Sequence, residues 1–283
     1  MTACVSRKRI GALGLALMFT ATVQPASAYC RVTTCRPDLE SCPVDAGGCV
    51  SAGVPLAWTG RKVRFVVDWR GSELRGISGN ELLEAATLAA ASWNDVTCYA
   101  EAGPFDAVEL ELGQAEAGFD ANGPNDNVIR FLDASWPHAA EALGKTTLGM
   151  NLDTGEILDA DIVLNSEAFE FSLEPRAQVT DLVAVLTHEM GHALGLDHSP
   201  VPHATMRPET QGYATSDLLD IEQDDEAGLC AAYAEVIRNS EEVPVTETMA
   251  CSAEPGMRGG VREHGALFAA LALSFMARRR RRA

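Results

Sequence analysis

Residues 188–198, His188-Glu189-Met190-Gly191-His192-Ala193-Leu194-Gly195-Leu196-Asp197-His198, constrain this chain more than any other stretch. His188 and His192 are four apart, so on a helix they stand one turn above each other on one face, where two imidazoles can grip one metal ion. Glu189 follows on the same turn, where its carboxylate reaches a water at the metal without being a ligand. Gly195 takes a positive φ at little cost, so the helix can end there and the chain can swing back. His198 then arrives as a third nitrogen ligand. Three protein ligands leave one position open, which is the arrangement of a catalytic rather than a structural zinc site. A bare His-Glu-x-x-His turns up by chance in many chains; five fixed positions, three of them a rare residue, do not.

The 283 residues suffice for one medium catalytic domain with end segments, or for two small domains, and at 47% apolar residues a sizeable core is available. Basic residues crowd the ends. Residues 1–28 hold three and no acidic residue, and residues 251–283 hold seven against two, which leaves 12 basic and 38 acidic residues for 29–250. So acidic a body does not suit nucleic acid as a partner. The excess of carboxylates serves solubility, with bound calcium or basic substrates as the alternatives.

Arg7-Lys8-Arg9, an apolar run from Ile10 to about Val23, and Ala26-Ser27-Ala28 read as a secretory signal peptide over residues 1–28, too short in its apolar part for a membrane span. Export puts the remaining cysteines in an oxidising compartment. Cys30, Cys35, Cys42 and Cys49 fall in a segment, 29–54, with Pro37, Pro43 and Gly47-Gly48 but little apolar periodicity. That predicts a loop-rich piece held by two disulfides in one of three pairings. A second zinc site is the alternative, against which stands the lack of a nearby histidine. Cys98 and Cys230 are expected as a third pair linking the ends of two predicted helices, and Cys251 is left over.

Residues 62–69 alternate, with Val63, Phe65 and Val67 on one face, as a half-buried strand does. Ser78 with Glu81 is a capping box opening a helix that runs to about Asn94. Strands are predicted at 108–112 and 128–132, the second preceded by turn chemistry over 120–127, and at 146–152 and 157–164 around the turn Asp153-Thr154-Gly155-Glu156. A second helix begins near Thr180 or Asp181 and delivers the His-Glu-His set; a third runs from about Leu219 to Ala234. The order gives an α+β chain, a mixed sheet with helices packed on it, in one domain over residues 55–238.

The stretch 188–198 fits the metzincin zinc signature H-E-x-x-H-x-x-G-x-x-H at every fixed position, and the chain resembles the matrixin branch of that group. Ser199 follows the third histidine as in matrixins, Met206 lies where they have their Met-turn, and Pro208 stands where they have proline, with Arg207 in place of the usual tyrosine between. Asp224-Asp225, Gly228-Leu229 and Tyr233 are similar to the third helix of that family. The resemblance implies a zincin-like mixed twisted sheet of about five strands with three helices, zinc on His188, His192 and His198, Glu189 as general base, and Met206 as a support beneath the ligands. It also implies a secreted or surface-attached endopeptidase, acting as a monomer on protein or peptide substrates. A strand at 146–151 at the sheet edge would let an extended peptide add to it. A zinc hydrolase of peptidoglycan cross-links and a non-catalytic surface metal-binding or adhesion module are the alternatives; the intact Glu189 speaks against the second.

Two departures from the family stand out. Animal matrixins carry a second zinc on extra histidines, whereas here only His138 lies in that region, so no such site is expected. Cys35-Arg36-Pro37-Asp38 echoes the propeptide cysteine switch, but its place among four cysteines predicts a disulfide instead. His203 is expected as a loop residue and His264 as a tail residue. The Asp and Asn of 120–127, with Asp153 and Asp161, offer hard oxygens suited to calcium, with plain turn formation as the competing account. Residues 239–265 read as a linker. In 266–283 an apolar run is followed by Arg278 to Arg282, a weak membrane anchor or, with Cys251-Ser252, a segment that resembles the C-terminal sorting signals of secreted myxobacterial proteins and implies a Gram-negative envelope.

Overall fold

The computed structural model describes residues 29–37, 39–98, 107–174, 176–208 and 221–234. After a two-residue strand, β1 (Cys30–Arg31), comes β2 (Lys62–Asp68), whose alternation sends Val63, Phe65 and Val67 into the main core. On the other face Val66 packs with Ala115 and Val128, and Asp68 is buried as well. The strand is therefore covered on both faces along its second half rather than half-buried. Its position explains this: parallel strands flank it on both sides, an interior arrangement.

Helix α1 (Gly79–Asn94) opens with the capping box expected from the sequence: the Ser78 amide donates to Glu81 Oε2 at 2.8 Å, and the Glu81 amide donates to Ser78 Oγ at 3.3 Å. Its buried face is largely alanine (Ala85, Ala86, Ala89, Ala90) and ends in Trp93, so the helix can lie close to its neighbours. Strands β3 (Ala107–Gly113), β4 (Asn127–Phe131), β5 (Gly144–Met150) and β6 (Ile157–Leu164) complete a five-stranded sheet in the order β3-β2-β4-β6-β5. The first four run parallel; β5 is antiparallel to β6 and forms one edge.

A short parallel pair, β7 (Phe171–Ser172) and β8 (Thr180–Asp181), leads into α2 (Leu182–Ala193). Asp181 caps that helix, its Oδ1 accepting from the amides of Val183 and Ala184 at 3.0 and 3.1 Å. Nearly every residue of α2 is buried, so it is the central helix of the molecule, and Trp93 of α1 donates through Nε1 to the Thr187 carbonyl at 2.9 Å. Then β9 (Leu196–Asp197) pairs antiparallel with β1, and α3 (Gln223–Ala232) closes the described chain. The expected beginning of α3 near Leu219 lies outside the described residues.

Disulfides join Cys30 to Cys49, Cys35 to Cys42, and Cys98 to Cys230. The last ties the chain just beyond α1 to α3. Through the pairing of β1 with β9 the cysteine-rich segment is built onto the body, and the described residues all belong to one compact unit. The signal-peptide, linker and tail segments lie outside the described residues; among those described, no helix is long and apolar enough to cross a membrane.

Candidate active site

Helix α2 presents His188 and His192 one turn apart and ends at Leu194. Gly195 follows with φ 90°, and a Cβ there would stand 2.5 Å from the Leu56 carbonyl oxygen, so glycine is required for both its backbone angle and its lack of a side chain. The bend carries Leu196 and Asp197 into their pairing with β1 and returns His198 to the face of the helix. Ring centroids lie 4.8 Å apart for His188 and His192, 5.3 Å for His188 and His198, and 4.8 Å for His192 and His198. One nitrogen from each lies within 4.8 Å of the other two.

The tautomers follow from what the other ring nitrogens meet. His188 Nδ1 is 2.7 Å from the Thr205 carbonyl and His192 Nδ1 is 2.8 Å from the Leu196 carbonyl. A carbonyl only accepts, so both Nδ1 atoms carry the proton and both Nε2 atoms offer a lone pair. Burial, reinforced by the neighbouring ring, holds His188 down to about 4 and His192 down to about 3, and burial lowers His198 as well. Neutral imidazoles with oriented lone pairs are what a divalent cation needs, so the donor set fits zinc.

Glu189 is buried beside this trio, its carboxylate against the edge strand: Thr146 Oγ1 lies 2.6 Å from Oε2. Beneath the helix, Met206 fills the space that a side chain at Gly191 would take; a Cβ there would be 2.2 Å from its sulfur. The turn bearing Met206 is fixed by Asp225 of α3, which accepts from the amides of Thr205 at 2.6 Å and Met206 at 3.1 Å, and Ser199 N donates to the Met206 carbonyl at 2.8 Å. Burial raises the Asp225 carboxyl, and those two amide bonds oppose the rise. The carbonyls where α2 runs out are taken by side chains from distant segments: Ala193 by Trp58 Nε1 at 2.9 Å, Leu194 by the Tyr233 hydroxyl at 2.9 Å, and Gly195 by Arg31 Nε at 3.1 Å.

The other candidates stand apart. His203 is exposed and outside the trio, and His138 stacks edge-on against Trp136 with centroids 4.9 Å apart. Cys35 is spent in its bridge to Cys42, so it offers no thiolate to the site. In the 120–127 loop, Asp120 and Asn125 bond within the turn, the Asn122 amide donating to Asp120 Oδ1 at 2.9 Å. Asp161 accepts from the amides of Val128 at 3.0 Å and Gly118 at 2.5 Å. Asp159, not singled out from the sequence, has a buried Oδ1 without a hydrogen-bond partner among the described residues, and burial, then Asp161 and Asp126, push its carboxyl up to about 6. Arg31 and Thr146 matter through partners far away in the chain; an arginine beside a cysteine and a threonine in a strand carry no local signal.

The fold and this constellation define a metzincin-type zinc-site protein. The model of the Matrixin peptidase family matches residues 80–234, more than half of the chain, and the chain belongs to that family. Among curated proteins it is similar to matrix metalloproteinase-25 of Homo sapiens, 51% identical over 55 residues, which are 19% of this chain and 10% of that protein. It is similar to matrilysin of Rattus norvegicus, 34% identical over 87 residues, 31% of this chain and 32% of that protein. A longer match, 146 residues at 31% identity, is to metalloendoproteinase 1-MMP of Arabidopsis thaliana, covering 50% of this chain and 35% of that protein. The matches thus span only a tenth to about a third of these relatives' own length.

Proposed function

We propose that this protein is an exported zinc-dependent endopeptidase that hydrolyses peptide bonds in proteins, with His188, His192 and His198 as metal ligands, Glu189 as general base and Met206 as the support under the ligands. The observation that carries the reading is the pair of Nδ1-to-carbonyl hydrogen bonds, which leave Nε2 of His188 and His192 unprotonated in a trio with His198 whose ligand atoms lie within 4.8 Å of one another. Bound zinc would supply Lewis-acid polarisation of a water and of the scissile carbonyl. Glu189 takes the proton from the attacking water and returns it to the departing amine. Strand β5, antiparallel at the sheet edge, offers backbone groups to which an extended substrate can add.

Three disulfides support an oxidising compartment, in line with the reading of residues 1–28 as an export signal and of the tail beyond 250 as an address or anchor. As a further cation we propose calcium at Asp159, whose buried Oδ1 has no hydrogen-bond partner among the described residues; burial, then Asp161 and Asp126, raise its carboxyl, but the two do not join it in a ligand group within 4.8 Å. The test is Glu189→Ala. The variant retains one zinc per chain and loses cleavage of a denatured protein. Unchanged cleavage removes the mechanism, and cleavage confined to peptidoglycan cross-links reassigns the substrate. Wild-type protein that binds zinc but cleaves neither makes it a binding module.

A further inference from the structure

We infer that Gly144 and Thr146 of the edge strand form a slot that fixes the carboxylate of Glu189, making Thr146 a positioning residue for the proton transfer; the inference rests on Glu189 being the base. The two residues are i and i+2 on β5, so both point to the face turned towards α2, and both are buried, while Lys145 between them is exposed. Thr146 Oγ1 lies 2.6 Å from Glu189 Oε2 and 2.9 Å from the Glu189 carbonyl oxygen. The hydroxyl has one proton, and the carboxylate oxygen is the nearer of the two acceptors.

Gly144 forms the other wall. A Cβ there would come 2.9 Å from Oε1, 3.0 Å from Cγ and 3.1 Å from Cδ of Glu189. The carboxylate therefore packs against bare backbone at Gly144 and is bonded through Oε2 to Thr146, which leaves Oε1 for the proton of a water. A glutamate has three side-chain torsions to lose, and a base must stand within hydrogen-bond reach of the proton it removes. Holding one oxygen while leaving the other exposed to the reaction selects one orientation before substrate arrives. The slot belongs to the strand to which the substrate adds, so seating the peptide and aiming the base depend on one element.

The experiment compares wild type with Thr146→Val, Thr146→Ser, Gly144→Ala and Glu189→Ala, each loaded with zinc. Valine keeps the shape and β-branching of threonine and removes only the hydroxyl. It lowers kcat about 10- to 100-fold with KM within about twofold. Serine recovers most of that loss. The three atoms nearest an alanine Cβ at 144 all belong to the Glu189 side chain, so the substitution displaces the carboxylate, with a comparable fall in kcat. Zinc stoichiometry stays at one throughout, which separates aiming of the base from loss of the metal. Crystal structures of zinc-loaded wild type and Thr146→Val supply a readout apart from activity: Oε2 hydrogen-bonded to Thr146 in the first, the carboxylate rotated in the second. Wild-type kcat in Thr146→Val, or an unmoved carboxylate in its crystal structure, overturns the inference while leaving the peptidase reading intact. Full activity in Glu189→Ala overturns both.

Discussion

The guanidinium of Arg31 donates through Nε to the carbonyl oxygen of Gly195, 3.1 Å away, across 164 residues of chain. The same side chain donates to the Leu56 carbonyl, and the Val32 amide adds a third bond to this corner, reaching Gly195 O at 3.1 Å. Gly195 is the bend that turns the chain towards His198, so a residue in the cysteine-rich segment holds the arm that carries the third imidazole.

Arg31→Met removes both guanidinium bonds; the Leu56 carbonyl loses this donor, at about 1–3 kcal/mol, while Gly195 O keeps the Val32 amide. The melting temperature falls, and zinc affinity falls about tenfold, the usual scale for a group that orients ligands from outside the coordination sphere. Thermal denaturation and chelator competition read the two effects. Unchanged zinc affinity would show that the bend holds itself.

Gly191→Ala forces a methyl group into the sulfur of Met206, 2.2 Å away, and towards Trp93 Cζ2 at 2.8 Å. Overpacking of this kind costs about 1–3 kcal/mol. The added bulk lies directly under the helix between His188 and His192, so zinc content should fall with stability. Denaturant unfolding and metal analysis of the variant test this, and a fully loaded protein of wild-type stability counts against Met206 as a support.

Serine at Cys98 and Cys230 opens a crosslink spanning 132 residues, the longest of the three. A loop of that order restricts the unfolded chain by about 4–5 kcal/mol. The double variant should unfold at markedly lower denaturant with the His188, His192 and His198 trio untouched; a loss under about 1 kcal/mol would mean the unfolded chain is already compact there.

Asp159 gives the stability a pH dependence of unusual sign. Its carboxyl titrates near 6 when folded and near the ordinary aspartate value, about 3.9, when unfolded. Between those values the folded chain holds the extra proton, so without divalent cations this group favours folding at low pH and ceases to do so as pH rises to about 6. His188 and His192, lowered by burial, act in the opposite sense, so the comparison that isolates the carboxylate is wild type against Asp159→Asn. The asparagine variant should gain about 1 kcal/mol at pH 7 in chelator and lose the response to added calcium. A wild type no more stable in calcium than in chelator removes the cation from this corner.

Much of this was legible from local pattern. The His-Glu-His spacing, the capping box at Ser78 and the Gly195 bend are written over a few residues each, and the strand Ile157–Leu164 follows from the turn residues 153–156 that precede it. Strand 62–68 was harder. Its alternating pattern describes one covered face, whereas its second covered face comes from Ala115 and Val128, which no local window contains. The Cys30–Cys49 and Cys35–Cys42 pairing needed the path of the chain, since four cysteines in so short a segment allow any of three arrangements. Thr146 and Arg31 were silent for the same reason: each matters through a partner more than forty residues distant.

The joining of β1 to β9 has a consequence for the order of assembly. Contacts so far apart in sequence form late, because the intervening chain must first be gathered in. A growing chain that stops short of residue 198 cannot own the complete trio of imidazoles, and one that has passed it still lacks its clasp until the first strand has found the ninth. In a chain built this way the three imidazoles come together only after most of the fold has been gathered, so a half-made copy holds no complete site.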